Sequence, residues 1–190
     1  MTENKAKKTG TIQTGSWIQG NDHTRNYSTE EVLKMVMTRV KNPDTETHVM
    51  VGTDSHVFGQ NYHFVTVLCA YDVGKGGTYF YRSAIEPRKI FQGSQKMRLQ
   101  DEVTKSLAIA YEVEGATGIK PVVHVDASPP SKKEFSSSFS DSLRGYVVAS
   151  GYEAVLKPDS FVSNCIADKH TRRRTRGRKK WVVSNTPVKN

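Results

Sequence analysis

The chain has 190 residues, 36% hydrophobic and 25% charged, a length and balance that suit one globular domain with tails. No apolar run is long enough to span a bilayer, and the opening MTENKAKKTGTIQTG has no signal-peptide core, which predicts an intracellular, cytoplasmic protein with no membrane partner. Cys69 and Cys165 share neither CxxC spacing nor a Cys/His pattern, so a zinc module is excluded and two buried, reduced thiols are expected. Of the formal charge of +9, eight charges come from Lys169, Arg172, Arg173, Arg174, Arg176, Arg178, Lys179 and Lys180. The rest of the chain is nearly neutral, and so dense a basic run predicts a polyanionic partner gripped through its phosphates.

Residues 1–16 are polar and without periodicity, which predicts a disordered arm before an ordered body that starts at Trp17. Ser28 followed by Glu31 forms a capping box, and Val32, Met35, Val36 and Val40 recur at helical spacing up to Asn42-Pro43, predicting an N-terminal amphipathic helix. From His48 the period becomes that of strands. HVMVGTD, NYHFVTVLCAYD and GTYFYRSAI, divided by FGQN and by Gly74-Lys75-Gly76-Gly77, predict an antiparallel meander. The Gly-Lys pair lacks the GxxxxGK[ST] frame and lies between strands, so it reads as a hairpin turn rather than a nucleotide loop.

A helix is predicted over about 96–114, with Leu99, Val103, Ile109, Ala110 and Val113 on its apolar stripe. Glu102 lies on that stripe, whereas Asp101 shares the polar side with Lys105, Ala108 and Glu112. PVVHVDA then reads as a short buried strand in a parallel pairing, followed by the loop SPPSKKEFSSS and a helix with Phe139, Leu143, Tyr146 and Val147 that closes at Gly151. YEAVLKP supplies a fifth strand, and Ser160 is expected to cap a last helix carrying Cys165 and Asp168. The body is expected to end at 172, with 173–190 as a basic tail. The order predicts an α/β fold: a mixed five-stranded sheet, three antiparallel strands then two parallel, flanked by helices and preceded by the extra N-terminal helix.

Four acids stand out in this frame: Asp54 at the end of HVMVGTD, Glu102 on the inner helix stripe, Asp126 at the end of PVVHVDA and Asp168 on the last helix. Taken singly, each has an ordinary role. Asp bonds its own backbone in turns, and Asp168 stands at helical spacing from Arg172. Together, carboxylates on separate elements can converge on hard divalent cations such as Mg²⁺, and parallel strand ends are where functional groups gather. His124 shares a strand face with Asp126 and is either an accessory ligand or a core histidine; His170, two residues past Asp168, is a candidate proton shuttle. Lys169 and Arg172 are candidates for direct phosphate contact. No GxSxG elbow is present, so covalent catalysis has no support, and no frame for a small organic cofactor occurs.

The order of these acids resembles the ribonuclease H-like superfamily, and VGTDSH at 51–56, HVDAS at 124–128 and KPDSFVSNCIADKHTR at 157–172 resemble its bacterial YkuK-type branch. The resemblance implies that Asp54 bridges two Mg²⁺ or Mn²⁺ ions, that Asp126 and Asp168 complete one shell, and that Glu102 serves the other. It also implies a nuclease acting on RNA, an RNA/DNA hybrid or branched DNA. The alternative is a non-catalytic nucleic-acid-binding protein on the same scaffold.

Overall fold

The computed structural model of the chain describes residues 16–129, 132 and 135–171. The expected arm, apart from Ser16, and the expected basic tail lie outside the described residues.

The first ordered element is a hairpin rather than a helix: β1 (Trp17–Gln19) pairs antiparallel with β2 (Asp22–Tyr27), and α1 (Thr29–Val40) follows with the expected capping box, Ser28 accepting from the Glu31 amide and Glu31 from the Ser28 amide. Three twelve-residue strands come next, β3 (Thr47–Phe58), β4 (Asn61–Asp72) and β5 (Gly76–Pro87), in full antiparallel register. After a 3₁₀ turn at Arg88–Phe91, α2 (Gln95–Thr117) runs to Gly118, whose φ of +75° lets the chain turn left-handed and close the helix onto Glu114. Then come β6 (Val122–His124), α3 (Ser140–Ala149), β7 (Ala154–Val155) and a last helix with a π-helical stretch over Val162–Ala167.

One mixed sheet in the order β2-β1-β5-β4-β3-β6-β7 holds these strands, with β6 parallel to β3 and β7 parallel to β6. The sheet has seven strands, not the five expected. The meander and the two parallel strands stand as read; the extra pair arises because β1 hydrogen-bonds the outer edge of β5, Ile18 opposite Tyr81. Polar DHTRNY, exposed along most of its length, carries little alternation, which is why it read as a connection.

Strand alternation decides the two faces. Val49 and Val51 point with Leu68, Ala70 and Phe80 into a core closed by Val32 and Val36 of α1, Leu99, Val103 and Val113 of α2, and Leu143 and Val147 of α3. Met50, Val65, Val67 and Cys69 point the other way and meet Val162 and Ala167 of the last helix. Gly52 sits on that second face, and a Cβ there would lie 2.9 Å from the Ser163 amide nitrogen and 3.1 Å from the His124 carbonyl. The glycine therefore lets the last helix lie directly on β3. Cys69 is buried as expected, but Cys165 is exposed, since it occupies the outer side of that helix. Ser160 does not cap with its side chain: its buried hydroxyl has no hydrogen-bond partner, and its carbonyl accepts from the Asn164 amide instead.

Candidate metal centre

Parallel pairing of β3 with β6 puts Gly52 opposite His124; Asp126 lies two residues past the end of β6, whereas Asp54, expected at a strand end, stands inside β3 opposite Val65, because pairing with β4 carries β3 on to Phe58. The last helix crosses the same end. Its Thr171, fully buried, donates to Asp54 Oδ2 at 3.0 Å and to the Asp168 carbonyl at 2.9 Å. A single hydroxyl proton is shared between those acceptors, tying the Asp54 carboxylate to the helix turn that carries Asp168. The π-helical widening just before this turn sets its phase, as π-bulges often do beside functional groups.

Glu102 arrives from the opposite face of the sheet. It is 3% exposed, and its Oε1 accepts from Ser55 Oγ at 2.6 Å and from Arg98 Nη1 at 2.7 Å. The same Arg98 nitrogen also reaches Ser55 Oγ at 2.7 Å and the Ser55 carbonyl at 3.2 Å, so one guanidinium locks helix and strand together. Beneath it, Ser106 donates to Thr53 at 2.9 Å, continuing the polar seam between α2 and β3. Asp101 lies on a different side of α2, half-buried and 3.0 Å from Lys105 Nζ. The helix phase therefore places Glu102, not Asp101, inside.

Burial and mutual repulsion raise the acids. Asp54 is pushed up to about 7, by burial first and then by the charge of Asp126, with the Thr171 hydrogen bond opposing and Asp168 adding a smaller push. Glu102 is pushed up to about 8, again mainly by burial; Arg98 opposes, while Asp54 and Asp126 add to the rise. Asp54 thus feels the charges of Asp126 and Asp168, and Glu102 those of Asp54 and Asp126. Among the described residues no group of three or more His, Cys, Asp or Glu side chains stands close enough together to hold a metal ion. The acids are held apart by partners of their own: Thr171 on Asp54, Arg98 on Glu102, and Lys157, whose Nζ lies 2.7 Å from Asp126 Oδ1. That last contact is an ion pair, and Oδ1, though buried, has no hydrogen-bond partner among the described residues.

The donor chemistry suits a hard divalent cation. Four carboxylates from three elements and a strand-end loop, two of them destabilised as anions, with a buried oxygen short of partners on a third, are what Mg²⁺ or Mn²⁺ would relieve.

The two candidate histidines have contacts of their own. His124 Nδ1 accepts from the Val162 amide at 3.2 Å, and its ring meets Phe161 edge-on with centroids 5.0 Å apart. Burial pushes it down to about 4, so it is a neutral pin holding the start of the last helix, with its proton on Nε2. His170 stacks on Tyr81 with centroids 3.8 Å apart, and its Nε2 lies 3.3 Å from the Tyr79 hydroxyl. Lys169 is exposed beside Asp168. Arg172, Arg173, Arg174, Arg176, Arg178, Lys179 and Lys180 lie outside the described residues. Sequence reading missed Arg98, Ser55, Thr171 and Lys157. Arg98 stands four residues before Glu102 and Thr171 three after Asp168, spacings that carry the signal; Ser55 and Lys157 are positioned by strand pairing and leave none.

This mixed sheet, with one acid inside β3, another just past its parallel neighbour β6 and further acids on helices over both faces, is a ribonuclease H-like arrangement. The model of the family "Ribonuclease H-like" matches residues 30–172, and the chain belongs to that family. It is similar to YkuK of Bacillus subtilis (strain 168), described as an uncharacterized protein, with 24% identity over 159 residues covering 75% of this chain and 90% of the relative. No solved structure matches at a significant level. Among the described residues no helix is long and apolar enough to cross a membrane.

Proposed function

We propose that the chain is a metal-dependent nuclease that hydrolyses phosphodiester bonds in RNA, an RNA/DNA hybrid or structured DNA. The observation that carries this reading is the electrostatic coupling of Asp54 with Asp126, Asp168 and Glu102 at one sheet end. An arrangement of acids that raises its own members is costly to the fold unless a cation is bound, and family membership supplies the precedent for the scaffold. Asp54, Asp126, Asp168 and Glu102 would hold Mg²⁺ or Mn²⁺. When bound, such ions offset the charge of the attacking water and of the leaving oxygen in an in-line displacement.

The chain's own groups prepare that chemistry. Thr171 fixes the Asp54 carboxylate against the last helix, and Arg98 with Ser55 fixes Glu102 from the other face, so both acids are oriented before substrate arrives. Burial of Asp54 and Glu102 keeps bulk water from competing for their oxygens. Lys169 and the basic run from Arg172 are suited to hold the polynucleotide by its phosphates, without reading its bases.

A second reading, a nucleic-acid-binding protein without turnover, is favoured by the way Thr171 and Arg98 already hydrogen-bond two of the acids and Lys157 offsets the charge of a third. A cleavage panel over single-stranded, duplex, hybrid and branched substrates, with Mg²⁺ or Mn²⁺ and with EDTA, separates the two. Cleavage of one class that EDTA stops supports the nuclease; tight binding with intact substrate in every lane supports the alternative.

A further inference from the structure

We infer that Lys157 is a resident counter-ion of the acid cluster, held where a divalent cation would approach Asp126 and handed to a substrate phosphate when that cation enters. The inference rests on the metal-dependent reading above. Lys157 follows β7, and its amide donates to the Ala127 carbonyl at 3.1 Å, so its backbone is fixed to the residue after Asp126. From there the ammonium reaches Asp126 Oδ1 at 2.7 Å, with side chains 25% and 19% exposed. The anchor is rigid and the head is at the rim.

The quality of the contact carries the step from ion pair to exchangeable counter-ion. Arg98 makes directed hydrogen bonds to Glu102 and Ser55 and joins two elements. Lys157 makes none to Asp126: it neutralises Oδ1 by proximity, on a flexible four-carbon stem, and leaves that buried oxygen without a hydrogen-bond donor. A dication attracts a carboxylate more strongly than an ammonium does, so entry of one at Asp126 would displace the head while the backbone stays in place. The displaced ammonium would remain within a side chain's length of the site, where the nearest new anion is a bound phosphate.

Two binding measurements on the full-length protein test this, with Lys157→Met keeping the stem and removing the charge. Mn²⁺ alone, titrated calorimetrically at neutral pH, should bind Lys157→Met about five-fold more tightly than wild type, because a competing charge is gone, while Lys157→Arg should stay near wild type. A fluorescent oligonucleotide titrated in Ca²⁺, which supports binding without rapid turnover, should bind Lys157→Met several-fold more weakly. If wild type binds Mn²⁺ and Lys157→Met binds it equally or less tightly, the counter-ion role is overturned, and Lys157 merely orients Asp126. Tighter Mn²⁺ binding with unchanged oligonucleotide affinity overturns the hand-over to phosphate. Wild type that takes up no Mn²⁺ overturns the metal-dependent reading together with this one. Lys157→Gln, measured beside thermal unfolding of all variants, guards against a fold defect peculiar to Met.

Discussion

Asp54 and Glu102 are the residues at which burial, charge and chemistry meet, and their raised pKa values make stability depend on pH in a definite direction. Below the ordinary carboxylate range both states are protonated and neither acid contributes. As pH rises the unfolded chain ionises first, whereas the folded chain keeps these protons until about 7 and about 8, so folding stability falls across that interval. His124 acts in the opposite sense, costing stability as pH falls from 6.5 towards 4. Between pH 6.5 and 8 the acids outweigh it, since His124 returns only about 0.4 kcal/mol over that interval. In EDTA, urea unfolding should show a loss on the order of 1 kcal/mol for each acid between those limits, removed by excess Mg²⁺ and reduced in Asp54→Asn. An identical pH profile with and without Mg²⁺ would contradict this account. At the same scale, Glu102→Gln should abolish any cleavage while Asp101→Ala leaves it within about two-fold, because only Glu102 faces Ser55 and Asp54.

The last helix is the element on which the site depends, since it brings Asp168 and Thr171 to Asp54 and is held down by Gly52 and His124. Gly52→Ala would put a methyl group within 2.9 Å of a backbone nitrogen that cannot swing aside. Stability should drop by about 1–3 kcal/mol, the usual cost of overpacking, and Mn²⁺ affinity should fall with it although no carboxylate is touched. A calorimetric Mn²⁺ titration of Gly52→Ala that matches wild type would show that helix and metal centre are uncoupled. The hairpin β1–β2 braces the other end of this helix: His23 meets Tyr81 with centroids 6.2 Å apart, and Tyr81 stacks on His170. Helix existence, the capping box and the inward phase of α2 were legible in the sequence because they are written in local spacing. Strand β2 was not, for its partner β1 and the edge of β5 are set by tertiary pairing, and the π-helical turn has no period of its own to betray it. Likewise the four acids could be picked out by the apolar runs they follow and by a helix stripe, even though β3 continues past Asp54 to Phe58, but Lys157 and Ser55 join them only through sheet register.

For the whole molecule, the proposed function would divide the work between a nearly neutral body and a cluster of eight cations next to Asp168 in the sequence, the first for chemistry and the second for capture. Replacing Arg172, Arg173, Arg174, Arg176 and Arg178 together by Gln should weaken binding to many sequences alike and make affinity less steeply dependent on salt, since each lost phosphate contact removes roughly 0.7 to 0.9 from the slope of log K against log salt. An unchanged slope would assign binding to the body. Arg172→Gln alone, next to the buried Thr171, distinguishes a tether from a contact at the scissile phosphate: loss of turnover at unchanged affinity indicates the latter. The central claim is that this sheet end is a metal-dependent hydrolytic centre organised by Asp54. It is tested most directly by the cleavage rate of Asp54→Asn beside wild type, on whichever polynucleotide wild type cuts in Mg²⁺ or Mn²⁺. The account predicts a fall of at least about a hundred-fold with fold and oligonucleotide binding retained; cleavage by Asp54→Asn near the wild-type rate would contradict it.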